Sequence, residues 1–139
     1  MDNQIIVGVK GVIIQDGKVL IIKRTNQAHS GGGTWECAGG KMEFGEDLES
    51  ALIREVKEEV GLDILVEQIL YATTFQTSPY RQVVIVTYLC SCKNTEIILS
   101  HEHSDYLWAT YDELKRYLPK GILADFEKNS VFSLLESSR

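Results

Sequence analysis

The chain has 139 residues, 44% hydrophobic and 24% charged, the composition of an ordinary globular protein able to bury its own core. Its formal net charge of -6 disfavours nonspecific binding to a nucleic-acid backbone, and no apolar run is long enough to span a bilayer. The start MDNQIIVG lacks the basic region and cleavage site of a secretory signal, and the three cysteines (Cys37, Cys90, Cys92) make no even framework; the expectation is a single domain over 1–139 in a reducing cytoplasm.

In chain order, residues 5–14 are apolar and β-branched, Asp16-Gly17 is a hairpin-type pair, and residues 19–22 are apolar again, which predicts two paired strands. Residues 25–34 (TNQAHSGGGT) are polar and glycine-rich and predict a mobile loop. A helix is expected over 47–60, with Asp47 as N-cap and Gly61 as the stop. Strands are expected over 64–75 and 82–90, separated by a turn at Ser78-Pro79, with a short strand over 106–109. Thr110 and Glu113 form a capping-box pair opening a helix through Leu118, and 124–136 predicts a final helix. Strands and helices mixed in this order predict an α/β fold on a mixed sheet.

The helix over 47–60 carries a conflict. On a helical wheel Leu48, Ala51, Leu52, Val56 and Val60 form one apolar stripe. Glu55 and Glu59 fall inside it, with Glu58 at its edge and Arg54 just beyond. Like charges three or four residues apart cost roughly 0.2–0.5 kcal/mol per pair even on an exposed helix. A run of glutamates is usually a solvated face, but these share the core-facing arc. A divalent cation resolves the conflict, and a set of carboxylate oxygens suits Mg²⁺ or Mn²⁺ rather than Zn²⁺. Mg²⁺ commonly takes substrate phosphates as its remaining ligands, so a phosphorylated substrate is expected. A zinc site from Cys90, Cys92, His101 and His103 is disfavoured by its spacing.

Gly40, Glu46, Arg54, Glu55, Val56, Glu58, Glu59, Gly61 and Leu62 resemble the Nudix hydrolase pattern G-x5-E-x7-R-E-U-x-E-E-x-G-U, where U is a bulky aliphatic residue, with no departure. The flanking IIKRTNQAHSGGGTWECAGGK and HEHSDYLWATYDEL are also similar to members of that family. The resemblance implies an α/β/α sandwich around a mixed β-sheet. It also implies Mg²⁺-dependent hydrolysis, with Mn²⁺ as a substitute, of a nucleoside diphosphate linked to another moiety. By the same resemblance Glu55, Glu58, Glu59 and the Gly39 carbonyl would hold metal, Arg54 would orient the catalytic carboxylate, and Glu46 would support the site. Gly40 and Lys41 would lie against substrate. A later acidic residue often serves as base or extra ligand; Glu102 is the first choice and Asp105 the second, and as general base Glu55 stands before Glu102. Ala38 departs from the Pro that many members carry.

IIKRTNQAHS resembles the corresponding segment of the MutT type, which implies a phosphate contact for Arg24 and a (d)NTP or oxidised (d)NTP as substrate, released as monophosphate and pyrophosphate. Trp35, Phe75, Tyr80 and Tyr106 are candidates to stack on a base. ADP-ribose or dinucleoside polyphosphate hydrolysis is the alternative, and a non-catalytic nucleotide sensor is a further one that the complete glutamate set disfavours. The expected partner is a small-molecule nucleotide, with a homodimer as an option and with neither nucleic acid nor membrane.

Overall fold

The computed structural model describes residues 2–25 and 32–137. The segment 26–31, most of the loop expected over 25–34, lies outside the described residues. The central strand is β1 (Gln4–Gln15), whose near-continuous apolar run QIIVGVKGVIIQ suits a strand covered on both faces. It pairs in parallel with β6 (Arg81–Cys92), from Gln4 opposite Arg81 to Ile13 opposite Cys90. On its other side it meets β4 (Ala38–Lys41) antiparallel, with Val9 opposite Gly40 and Lys10 opposite Gly39. Its end turns through Asp16 and Gly17, both left-handed at φ 52° and 75°, into β2 (Lys18–Arg24), as a type I′ hairpin requires. β2 in turn pairs with β3 (Trp35–Glu36) and β7 (His103–Ala109). The long β5 (Ile64–Ser78) lies antiparallel to β6 at the sheet edge.

Alternate residues of β1 serve two cores. Val9 and Ile13 pack with Leu52, Val56 and Val60 of α1 (Leu48–Val60) on one face. Val12 and Ile14 pack on the other with Leu114 of α2 (Tyr111–Tyr117), Phe126 of α3 (Lys120–Lys128) and Leu135 of α4 (Ser133–Ser137). Helices cover both faces of one mixed sheet, so the expected α/β/α layering is what forms. No described helix is long and apolar enough to cross a membrane.

Two elements were not expected, and one expected helix is divided. Residues 35–41 contain the short strands β3 and β4, too brief and too glycine-rich to show a strand period. The single helix expected over 124–136 is two helices. Pro119 sits at the N-cap of α3, where its missing N–H costs nothing. Asn129 Nδ2 then donates to the Asp125 carbonyl at 2.8 Å, and Ser130 turns left-handed at φ 57°, ending α3 before α4 begins.

Candidate active site

α1 begins as its sequence requires. Asp47 accepts from the Ser50 N–H at 2.8 Å, and Gly61 closes the helix at φ 77° with its N–H on the Lys57 carbonyl at 3.0 Å. The expected conflict on its inner face is real. Ala51, Leu52, Val56 and Val60 are fully buried, and Glu59 among them is only 9% exposed. Its Oε1 accepts from the Gly39 N–H at 2.8 Å. Burial pushes the Glu59 carboxyl up to about 7, against the pull of Lys10, the Gly39 amide and His103. Glu55 is largely buried, whereas Glu58 faces outward.

Arg54 ties these groups to the chain preceding α1. Its Nε and Nη2 donate to the two Glu46 carboxylate oxygens at 2.7 and 2.8 Å, a bidentate fork that fixes the guanidinium plane. Nη1 donates to Glu55 Oε1 at 3.0 Å and Glu58 Oε2 at 3.3 Å, and Nη2 also reaches the Lys41 carbonyl at 3.2 Å. The Arg54 hydrogen bonds, with the Glu43 amide, outweigh desolvation and hold the Glu46 carboxyl at about 2; Glu46 in turn raises Arg54 further. Lys41 therefore enters this site through its carbonyl, its side chain being exposed.

The glycines of β4 permit this closeness. Gly39 has φ 152°, and a Cβ there would run into the Val9 backbone; a Cβ on Gly40 would fall on the Glu55 carboxyl group. Any larger residue at 40 would displace the carboxylate itself. The candidate metal donors are thus all oxygen: Glu55 and Glu59 against β4, the outward-facing Glu58 and the Gly39 carbonyl of β4 itself. Among the described residues no three acidic, His or Cys side chains already converge as a metal cage, because Arg54 stands among Glu46, Glu55 and Glu58 and the Gly39 amide holds Glu59. Hard oxygen donors, few and partly preoccupied, with a desolvated carboxylate that a cation would stabilise, fit Mg²⁺ that draws further ligands from a phosphorylated substrate.

Glu102 is carried to the same end of the helix. The segment before it is stitched to α1, Ile98 N–H to the Val60 carbonyl and Ser100 N–H to the Glu59 carbonyl, both at 2.9 Å, while the Thr25 N–H donates to the Glu102 carbonyl at 3.0 Å. The Glu102 side chain is exposed. Asp105 instead accepts from the Tyr106 N–H at 2.8 Å.

A second cluster went unnoticed in the sequence. Glu36 accepts from Lys10 Nζ at 3.1 Å and from Arg24 Nη1 at 3.2 Å, and its Oε2 lies 2.8 Å from His103 Nε2. His103 is buried, and its Nδ1 has no hydrogen-bond partner among the described residues. Arg24 is thereby placed on Glu36. Lys10 and Glu36 line a cavity of about 730 Å³ under α3, with Phe75, Ile85, Thr73 and Asp125, within the size range of small-molecule pockets. The available signal was Lys10 itself, an ammonium in the middle of an apolar strand. Of the stacking candidates, Phe75 lines this cavity, Trp35 packs on Tyr117 with ring centroids 5.5 Å apart, and Tyr80 and Tyr106 are exposed.

A family model described as NUDIX domain matches residues 4–128. The nucleoside triphosphatase NudI of Escherichia coli O139:H28 is 30% identical over 116 residues, spanning 76% of this chain and 82% of that relative. A MutT protein from Methanosarcina mazei Go1 superposes with a TM-score of 0.83 at 24% identity, over 94% of this chain and 96% of that one. A MutT NUDIX hydrolase from Burkholderia pseudomallei does so with a TM-score of 0.78 at 26% identity, over 90% and 98%.

Proposed function

The chain belongs to the Nudix family, matched over residues 4–128, and from that premise we propose that it is a nucleoside triphosphate pyrophosphohydrolase. It takes a (d)NTP or an oxidised (d)NTP, with Mg²⁺, to the monophosphate and pyrophosphate, in one domain over 1–139. The observation that carries this reading is the buried acidic face of α1 closed by Gly39-Gly40, with the Gly39 amide 2.8 Å from Glu59. The relatives named as nucleoside triphosphatases support the choice of a triphosphate, and the neighbouring cavity of about 730 Å³ has room for a nucleoside.

Bound Mg²⁺ would neutralise charge on the polyphosphate and lower the pKa of its water, held by Glu55, Glu58, Glu59 and the Gly39 carbonyl. Glu55, oriented by Arg54, takes the proton as water bonds to phosphorus and the bond to pyrophosphate breaks. Arg54 is itself locked by Glu46, so the carboxylate is aimed before substrate arrives. Glu102 stands second as base, with its carboxylate exposed at the same helix end, ahead of Asp105, which is engaged by the Tyr106 amide. Arg24, held on Glu36, lends positive charge towards the phosphates, Lys41 lies against substrate with its exposed side chain while its carbonyl holds Arg54, and Gly40 lets the phosphates approach β4.

The test is a Mg²⁺-dependent hydrolysis panel of unmodified and 8-oxo (d)NTPs, ADP-ribose, dinucleoside polyphosphates and nucleotide sugars, with products identified. The expected outcome is the highest kcat/KM on a triphosphate, releasing pyrophosphate. Nucleotide binding without turnover of any compound would overturn the enzyme, and best turnover of ADP-ribose would overturn the triphosphate.

A further inference from the structure

Lys10 interrupts an otherwise apolar strand, and its side chain is only 24% exposed. An ammonium in such a place is strongly disfavoured unless it is paired. It is paired twice, with Glu36 Oε1 and with the Cys37 carbonyl, each at 3.1 Å. Burial disfavours its charge, but Glu36 and Glu59 outweigh burial and keep it protonated. Among the described residues these contacts use two of its three hydrogens. Glu36 does not depend on it, since Arg24 and His103 also reach that carboxylate. The remaining hydrogen belongs to a group that lines the cavity.

The occupant's chemistry follows from what else lines that cavity. Among the described residues its charged lining is Lys10, Glu36 and Asp125, two acidic against one basic, and Phe75, Ile85, Ile122 and Phe126 give it apolar wall. That lining repels phosphate and suits a flat, neutral ring with a few polar edges. Phe75 is half exposed although it lines the cavity, leaving an aromatic face free for stacking. Lysine donates and never accepts. It therefore favours a carbonyl oxygen and opposes an amino group at the same ring position. Guanine, uracil and thymine carry an exocyclic carbonyl where adenine and cytosine carry an exocyclic amine.

We propose that Lys10 is a specificity-determining residue, donating to the exocyclic carbonyl of a 6-oxopurine or 4-oxopyrimidine and so selecting keto over amino bases. This deepens the triphosphate reading and rests on it. ITP against ATP, and UTP against CTP, compare a carbonyl with an amine on otherwise similar rings. With the full-length enzyme and Mg²⁺, kcat/KM should favour the keto member of each pair by about tenfold or more, the scale of one charge-assisted hydrogen bond. Lys10→Met keeps the apolar stem and removes the donor, and should bring both ratios close to one. Lys10→Gln, whose amide can turn to donate or accept, should do the same. Because each ratio is taken within one protein sample, partial loss of folded enzyme cancels. Ratios near one in the unmodified enzyme, or a uniform loss across all four substrates in Lys10→Met, would overturn the assignment of Lys10 alone. No turnover of any triphosphate by the unmodified enzyme would overturn the triphosphate reading, and this inference with it.

Discussion

Replacing Glu36 by Gln removes an anion that Lys10, Arg24 and His103 share. Burial alone would raise the Glu36 carboxyl, but the His103 hydrogen bond, Lys10 and Arg24 outweigh it and bring the value from 4.5 to about 2. A folded value below the unfolded one means that the unfolded chain takes up the proton first as pH falls. The resulting stabilisation is complete above about pH 4.5 and is lost on descending towards about pH 2. The whole interval corresponds to about 3 kcal/mol, of which about 2 kcal/mol is gone by pH 3. The side chain is only 17% exposed, so solvent screening removes little of this. At pH 6 Glu36→Gln should be clearly less stable than the unmodified protein, because three basic groups lose their partner. At pH 3 that gap should have narrowed by about 2 kcal/mol, since the unfolded chain has by then taken up the Glu36 proton while the folded protein still holds the carboxylate ionised. Urea unfolding followed by tryptophan fluorescence at pH 6 and pH 3 reads the gap directly. A gap that stays constant between those pH values would refute the claim that Glu36 is held ionised by its cluster.

Three further outcomes follow from the site. Glu55→Gln keeps the shape and the Arg54 contact but loses the basic oxygen, so kcat should fall by roughly 10²–10⁴-fold with an unchanged circular dichroism spectrum; near-normal turnover at saturating Mg²⁺ would remove Glu55 from the mechanism. Gly40→Ala puts a methyl group where the Glu55 carboxyl lies, and kcat should drop steeply with little change in Tm; turnover at the unmodified rate would show that Glu55 can be repositioned without cost. Thr110→Ala removes the hydroxyl that accepts from the Glu113 N–H in the capping box and should cost about 1 kcal/mol in urea unfolding without altering the keto-to-amino ratio; a change in that ratio would mean that α2 communicates with the cavity.

The acidic helix could be read from sequence because its information is local. A stripe period, an N-cap three residues before its donor and a left-handed glycine stop all lie within one segment, and Asp47, Glu59 and Gly61 stand as that segment requires. The Asp16-Gly17 hairpin was legible for the same reason. The last helices were not, since what divides them is a side-chain bond from Asn129 to Asp125 and a left turn at Ser130, and neither leaves a periodic trace. Glu36 was invisible on other grounds. Its partners lie on β1, β2 and β7, at separations of 26, 12 and 67 residues, so only the folded sheet defines the cluster.

That cluster and the acidic helix face are joined through one short strand. β4 carries the Gly39 amide to Glu59, and its partner β1 places Lys10 opposite Gly39. Lys10 in turn binds Glu36 and the Cys37 carbonyl, immediately before β4. Lys10 and His103 both pull on the Glu59 carboxyl electrostatically, and His103 follows Glu102 directly in the chain. A base seated under α3 and phosphates set against α1 would therefore meet opposite sides of the same few residues. Shifting β4 would disturb base and metal geometry together. Glycine at 39 and 40 is thus required by two constraints at once, the close approach of Glu55 and Glu59 on one side and the pairing with β1 that holds Lys10 on the other.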